Sequence, residues 1–416
     1  MAKQTGIFTQ YDDVWLLAGV RTPFVDYNGA LASVSPTDLG IKVAREAFKV
    51  SGVDPAAVGH VFAGNMAQAS FDVYCLPRHV GLYSGVPVEV PATMTQRVCG
   101  TGIEIVIQAG DRIKLGQIAL GLCVGAESMS RNPVAAYTHR GGFRMGQVEF
   151  KDFLWESLLD PAPNATMGDT AENLAKRFEI TREETDRFAH ESFERALHAR
   201  QSGFFADEIT PVTNETFELA GYRPRGIRLA AKSERLDTDT HIRPSPLEKL
   251  AQIRPAFGGV QTGGNSSAIV DGAAAVLIAA GDFARSRDLP PLARVVAGTV
   301  VGVPPEVMGI GPVPAIRALA ERSGVPIDAI DRFEINEAFG AQCLAVIRDL
   351  DIPRDRVNVN GGAIAIGHPL GATGVRLTLT LARELRRSRK RYGVASACIG
   401  GGQGIALLIE NPDALH

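Results

Sequence analysis

No run of about 18 apolar residues occurs in the 416-residue chain, so no transmembrane helix is expected. The first thirteen residues, Met1 to Asp13, are polar and lack the apolar segment of a secretory signal, which points to a cytoplasmic location. Neither charge dominates. Lys and Arg total 43 against 46 Asp and Glu, and a net charge of −3 gives no electrostatic reason to expect nucleic acid or a membrane surface as a partner. The glycine loops match neither GxxxxGK[ST] nor a GxGxxG following a strand, which disfavours nucleotide hydrolysis and nicotinamide binding. Cysteine is scarce and unpatterned. The five thiols, Cys75, Cys99, Cys123, Cys343 and Cys398, contain no CxxC pair, so no metal site is expected. Their odd number suits a reducing compartment in which at least one thiol is kept for chemistry.

What is present is an ordinary soluble composition, 45% hydrophobic and 21% charged, long enough for two or three domains around a large core. Short apolar runs alternate with helical periodicity. Val14–Val20 reads as the first strand, and a helix starting at Ser35-Pro36-Thr37-Asp38 buries Leu39, Val43, Ala44 and Ala47. Val61–Gly64 and Ala119–Gly125 are further strands, and the alternation predicts an α/β fold with a parallel, doubly covered sheet. From about Ser130 to Asn265 the chain turns polar and irregular, with one helix from about Asp169 through His198, and reads as an insertion covering a site. Val270–Ala280 returns to the first sheet.

An internal repeat organises the whole. Ser51-Gly52-Val53 recurs as Ser323-Gly324-Val325, an offset of 272 residues, each after an amphipathic helix that begins near a proline (Pro36, Pro312) and before a strand (Val61, Phe333). The same offset aligns Cys99-Gly100-Thr101-Gly102 with Gly371-Ala372-Thr373-Gly374, and the strand at Leu122 with that at Val394. Two like halves would bring two helix N-termini near a shared pseudo-twofold axis.

Gln96-Arg97-Val98-Cys99-Gly100-Thr101-Gly102 joins an extended approach to a helix. There, unpaired N–H groups and the macrodipole favour negative charge, which should lower the Cys99 pKa and yield a thiolate nucleophile. A lone cysteine is more often a small buried hydrophobe, but three later stretches change the weighting. They are Asn336-Glu337-Ala338-Phe339, the glycine-rich run Gly361–Gly374 containing Gly367-His368-Pro369-Leu370, and Cys398-Ile399-Gly400-Gly401-Gly402-Gln403-Gly404.

Arg-Val-Cys-Gly-Thr-Gly, Asn-Glu-Ala-Phe, Gly-His-Pro-Leu-Gly-Ala-Thr-Gly and Cys-Ile-Gly-Gly-Gly-Gln-Gly, in this order, closely resemble the thiolases (acetyl-CoA acyltransferases), from Arg21-Thr22-Pro23 to Gly404. The resemblance implies a five-layered αβαβα fold of two duplicated βαβαβαββ halves with an inserted loop domain. On that basis the N-terminal half is expected at 1–129 with 269–289, the loop domain with the CoA and acyl-chain contacts at 130–268, and the C-terminal half at 290–416.

The resemblance also implies roles. Cys99 would take the acyl group as a thioester, His368 would activate it, and Cys398 would move a proton at the second substrate's α-carbon. Asn336 would hold a water in one oxyanion hole together with His368, and the N–H groups of Cys99 and Gly400 would form the other. Arg243 is expected at the nucleotide end of coenzyme A and Ser267 at the pantetheine. Phe257 and Met167 would line the pantetheine and acyl channel and Met308 the catalytic pocket, with Ala338 and Phe339 beside them. Coenzyme A is thus a co-substrate, with no tightly bound cofactor. Acyl-CoA is the other ligand, a homodimer or homotetramer the assembly, and a hydratase/dehydrogenase a possible partner.

Two features depart from compact short-chain members. Thr166 stands where many carry His before Met167, and Gly141–Pro163, with Phe143, Phe150, Phe153 and Trp155, is longer and more aromatic. His241–Phe257 resembles the corresponding stretch of long-chain fatty-acid oxidation thiolases. Cys123 and Cys343 read as core, Cys75 as a loop thiol, and Arg386–Arg391 as a solvated helix end. A ketoacyl synthase on the same fold would lack Cys398, and a non-catalytic CoA- or lipid-binding relative would have lost one of the four reactive side chains.

Overall fold

The computed structural model describes residues 6–67, 71–137, 141–142, 145–230 and 233–415. Residues 1–5 of the polar N-terminal stretch and Phe143 lie outside them. The first half runs β1 (Ile7–Arg21), α1 (Pro36–Ser51), β2 (His60–Gly64), α2 (Leu76–Tyr83), β3 (Ala92–Thr95), α3 (Thr101–Lys114) and β4 (Leu120–Glu127). After the irregular segment, which holds α4 (Phe153–Ser157), α5 (Met167–Arg177) and α6 (Arg182–Gln201), the chain returns as β5 (Val270–Ala280). The second half runs β6 (Ala293–Gly302), α7 (Pro312–Ser323), β7 (Arg332–Ile335), α8 (Gly340–Leu350), α9 (Ala363–Ile366), α10 (Leu370–Ser388), β8 (Tyr392–Ile399) and β9 (Gln403–Glu410).

One sheet collects the strands in the order β7-β8-β9-β6-β1-β5-β4-β2-β3, with Val25–Asp26 pairing beside β5. Apart from β3, which has no counterpart at the other edge, the order is symmetric about the antiparallel β1–β6 pair. The sheet is mixed rather than parallel. Only β3-β2-β4 and β8-β7 are parallel. Gly400–Gly402 is too short for a crossover between β8 and β9, so those strands must form an antiparallel pair. β5 is buried on both faces. Ala273, Ala275 and Leu277 face one hydrophobic cluster with α1, while Ala274, Val276 and Ile278 face the other. α1 covers the first half from outside, α7 covers the second, and α3 with α10 lies between the strands of both, which gives five layers.

The repeat is visible in the structure. β2 and β7 start 272 residues apart, as do β4 and β8. α1 and α7 both end on a left-handed glycine, Gly52 (φ 68°) and Gly324 (φ 76°). At the centre, α3 and α10 cross with backbones touching at repeat-related glycines. A Cβ on Gly102 would lie 2.5 Å from the Val375 nitrogen, and one on Gly374 would lie 2.2 Å from that of Ile103.

The segment expected to hold one helix from Asp169 through His198 holds two. α5 starts on a capping box, Thr166 with Asp169, and α6 on a second, Thr181 with Glu184. Between them Phe178 ends α5, and Glu179 turns left-handed (φ 51°). This segment is tied to the sheet by fully buried charges. Arg21 on β1 makes a bidentate bond to Asp239 (2.6 and 2.8 Å) and a third to Glu208 (2.7 Å). Asp239 also accepts from the Phe24 N–H, and Glu208 from Thr380 on α10. Among the described residues no helix is long and apolar enough to cross a membrane.

Candidate active site

Cys99 stands two residues before α3, in the turn that leaves β3. Val98 before it adopts φ 42°, a left-handed conformation unusual for a β-branched residue, which turns the chain sharply at the thiol. Thr101 fixes this turn by accepting from the Arg97 N–H (2.8 Å) and donating to the Val98 carbonyl (2.7 Å). The Arg97 side chain bonds Glu104 and, at 2.9 Å, Gln403, so it links the Cys99 turn to the loop after Cys398. Cys99 is 5% exposed and packs with Met66, Ala67, Met129, Leu154 and Leu370.

His368 follows α9 and Gly367 (φ 107°), where a Cβ would strike Val270 at 2.5 Å. Its N–H donates to the Ala268 carbonyl. The Thr373 hydroxyl donates to the Pro369 carbonyl (3.2 Å) and faces His368 Nδ1 at 2.6 Å, which assigns the ring proton to Nδ1. Nε2 is then the lone-pair nitrogen, 3.3 Å from the Asn336 amide nitrogen. Asn336 is buried at the end of β7, and its N–H donates to Ser396.

Cys398 is the next-to-last residue of β8 and is fully buried among Met167, Met308 and Ala338. The N–H groups of Gly400 and of Cys99 itself favour negative charge on the Cys99 sulfur. Glu127 at the end of β4 ties the segment after β2 to the N-terminal end of α10. It accepts from the N–H groups of Met66, Ala67 and Gly371 and from Asn65.

The electrostatics differ from the expected thiolate. Burial pushes the Cys99 thiol up to about 11, against the lowering by the two N–H groups. Burial, with Cys99 as neighbour, raises Cys398 well above an ordinary thiol. Burial, then the charge of Arg376, lowers His368 to about 3. The resting pair is therefore a neutral thiol beside a neutral imidazole, because desolvation outweighs the helix N-terminus.

A cavity of about 540 Å³ opens onto these groups. Cys99, His368, Met167, Met308, Phe257, Ser267, Ala338 and Phe339 all line it. Asn336, Cys398 and Gly400 do not; they stand behind that lining, against His368, Met167 with Met308, and Cys99 respectively. Phe257 crosses Phe339 edge-on and lies flat against Gly168, where a Cβ would be 2.4 Å from the ring. Arg243 does not reach the cavity. It stands at the rim over Phe193, 3.0 Å from Nε2 of His241, which does line it.

The sequence reading missed Tyr27, Met129, Leu154, Leu158 and His241 as lining residues, although Trp155, from the segment singled out as aromatic, is among them. Thr166 lines the cavity while capping α5, so its hydroxyl has a backbone role. Cys123 and Cys343 are core on β4 and α8, and Cys75 is exposed at the start of α2.

The thiolase N-terminal domain profile matches residues 14–282, and the thiolase C-terminal domain profile matches 289–411. The human mitochondrial 3-ketoacyl-CoA thiolase is 41% identical over 402 residues, covering 96% of this chain and 98% of that protein. The beta-ketothiolase of Cupriavidus necator is 39% identical over 403 residues, covering 96% and 99%. The crystal structure of the human mitochondrial enzyme in complex with CoA superposes with a TM-score of 0.90 at 41% identity, covering 96% of this chain and 98% of that one. That of the Bacillus anthracis acetyl-CoA acetyltransferase gives 0.88 at 40%, covering 97% and 99%. Duplicated halves with a thiol and a histidine lining one cavity and a second thiol behind that lining, matched from end to end by proteins of one kind, leave a single conclusion: this chain belongs to the thiolase family.

Proposed function

We propose that this chain is a CoA-dependent acyltransferase that cleaves 3-ketoacyl-CoA with CoA, giving acetyl-CoA and a shortened acyl-CoA, and runs the reverse condensation. The reading rests above all on one observation: Cys99 and His368 line one cavity, and Asn336 and Cys398 stand directly behind that lining. In the proposed first half-reaction His368 Nε2 takes the Cys99 proton as the sulfur attacks the 3-keto carbon. With the thiol near 11 and the imidazole near 3, no free thiolate precedes attack, and proton transfer accompanies S–C bond formation. The oxyanion on that carbon is received by the N–H groups of Cys99 and Gly400. The C2–C3 bond then breaks. Its electrons pass to the thioester oxygen of the departing enolate, which a water on Asn336 and the now protonated His368 receive. Each such donor contributes about 3 kcal/mol to lowering the barrier.

Cys398 gives its proton to the enolate α-carbon, and acetyl-CoA leaves. In the second half-reaction the Cys398 thiolate takes the proton of an incoming CoA thiol, which attacks the Cys99 thioester. Cys99 leaves with the proton held on His368, and both thiols are restored. Coenzyme A reaches the site as co-substrate, its pantetheine along Ser267, Phe257 and Met167 and its nucleotide end at the Arg243 rim. A homodimer or homotetramer is the proposed assembly, on family resemblance.

The test is thiolysis of acetoacetyl-CoA and 3-ketodecanoyl-CoA side by side, with Cys99→Ser as control. Cleavage of both, with the variant reduced at least a thousandfold, is the expected result. A folded protein that binds CoA and cleaves neither substrate would instead be a non-catalytic CoA-binding relative.

A further inference from the structure

Glu337 is fully buried one residue beyond Asn336, and each group that hydrogen-bonds its carboxylate is a donor. The Asn358 amide donates to Oε1 at 2.9 Å, while the Ser192 hydroxyl at 2.7 Å and the Ile364 N–H at 3.2 Å donate to Oε2. Ser192 also accepts from the Gly362 N–H at 3.1 Å, so that N–H reaches the carboxylate through the hydroxyl. Asn358 sits left-handed (φ 47°) and pairs its amide with both the N–H and the carbonyl of Ile335, at 2.8 and 2.9 Å, holding the end of β7. Gly362 has no room for a side chain, since a Cβ there would lie 2.2 Å from the Glu337 carboxyl carbon.

One carboxylate therefore holds three segments: the strand end that delivers Asn336, the Gly362–Ile364 turn that leads into His368, and α6 from the irregular segment. Asn336 and His368 are 3.3 Å apart and come from the first two of these. We propose that Glu337, relayed through Ser192, is a positioning residue that sets Asn336 against His368 and so builds the oxyanion hole used when the carbon–carbon bond breaks. This rests on the acyltransferase reading above. A carboxylate is needed because it offers only acceptors. Glutamine, of the same shape, turns an NH₂ toward at least one of three donors.

The hole formed by Cys99 and Gly400 does not involve Glu337, and this separates a positioning role from a general loss of fold. Acetyl exchange between acetyl-CoA and labelled CoA needs acylation of Cys99 but no carbon–carbon cleavage. For Glu337→Gln the expected result is a fall in kcat for acetoacetyl-CoA thiolysis at least tenfold larger than the fall in acetyl exchange, which shares His368 but not the hole completed by Asn336, with KM within about twofold. Ser192→Ala, which keeps the carboxylate, is expected to lower the same kcat about threefold, with exchange again the less affected of the two. Glu337→Asp should recover part of the loss. If wild-type protein cleaves the substrate and both variants match it, the positioning role is wrong and the acyltransferase reading stands. Exchange and thiolysis falling in proportion, in Ser192→Ala as well, would make the cluster merely structural. Wild-type protein inactive in both assays would remove the acyltransferase reading and this inference with it.

Discussion

Burial keeps the His368 imidazole neutral down to about pH 3, and this has a thermodynamic signature. Above the ordinary imidazole value of 6.5, folded and unfolded chains are both neutral at this position and no proton is exchanged on unfolding. Between 6.5 and 3 the unfolded chain binds a proton that the folded one refuses, so the group's contribution to stability is lost as pH falls. From pH 7 to pH 5 the wild type should lose about 2 kcal/mol relative to His368→Gln, read from urea unfolding at the two pH values. A pH-independent difference would mean that the ring titrates near its ordinary value. The candidate reactive side chains could be named from the sequence because their short motifs resemble those of a known family, and the structure brings those motifs together. Their proton affinities could not be read there. A helix N-terminus suggested a thiolate, but what surrounds Cys99 is Met66, Met129, Leu154 and Leu370, which come from four separate segments. Arg97 and Glu127 escaped notice for the same reason: a charged residue shows its partner only after folding.

At the scale of elements, the repeat was the most readable feature, because capping glycines and strand starts recur at a fixed interval. The crossing of α3 and α10 gives it a mechanical test. Gly374→Ala forces a methyl group into the backbone of α3, and neither helix can retreat because strands pack on both sides. The expected cost is about 3 kcal/mol in chemical denaturation, a typical upper value for overpacking. An unchanged midpoint would show that the helices are not pinned at this point. The break between α5 and α6 was missed although Thr181-Arg182-Glu183-Glu184 spells a capping box. Continuous polarity on both sides hid it. β1 begins well before the apolar run at Val14 because its first residues pair with β6 across an irregularity between Gln10 and Val14, and pairing of that kind leaves little hydrophobic pattern.

Across the whole molecule, the buried Arg21 joins the irregular segment to the sheet that carries the reactive residues. Asp239→Ala removes the bidentate partner of a fully buried guanidinium and leaves Phe24 N–H without its acceptor. A loss of about 3–5 kcal/mol is expected, measured as the shift in denaturant midpoint. A loss below about 1 kcal/mol would mean that Glu208 and the backbone suffice to hold Arg21. Alternating strands and helices made an α/β fold readable, whereas the antiparallel centre was not, since strand direction depends on connections whose geometry appears only in three dimensions. The duplication has one more consequence. By the repeat, the counterpart of Cys99 is Gly371, and both stand at the N-terminal end of a central helix. The Gly371 N–H is already taken at 2.9 Å by Glu127, and a side chain there would meet the Gly64 carbonyl at 2.8 Å. The chain has thus filled its second anion-receiving helix end with a carboxyl group of its own. The repeat's symmetry is kept in the scaffold but not at the two helix ends, so the proposed chemistry has one acyl-accepting end and predicts one acyl group per chain at saturation.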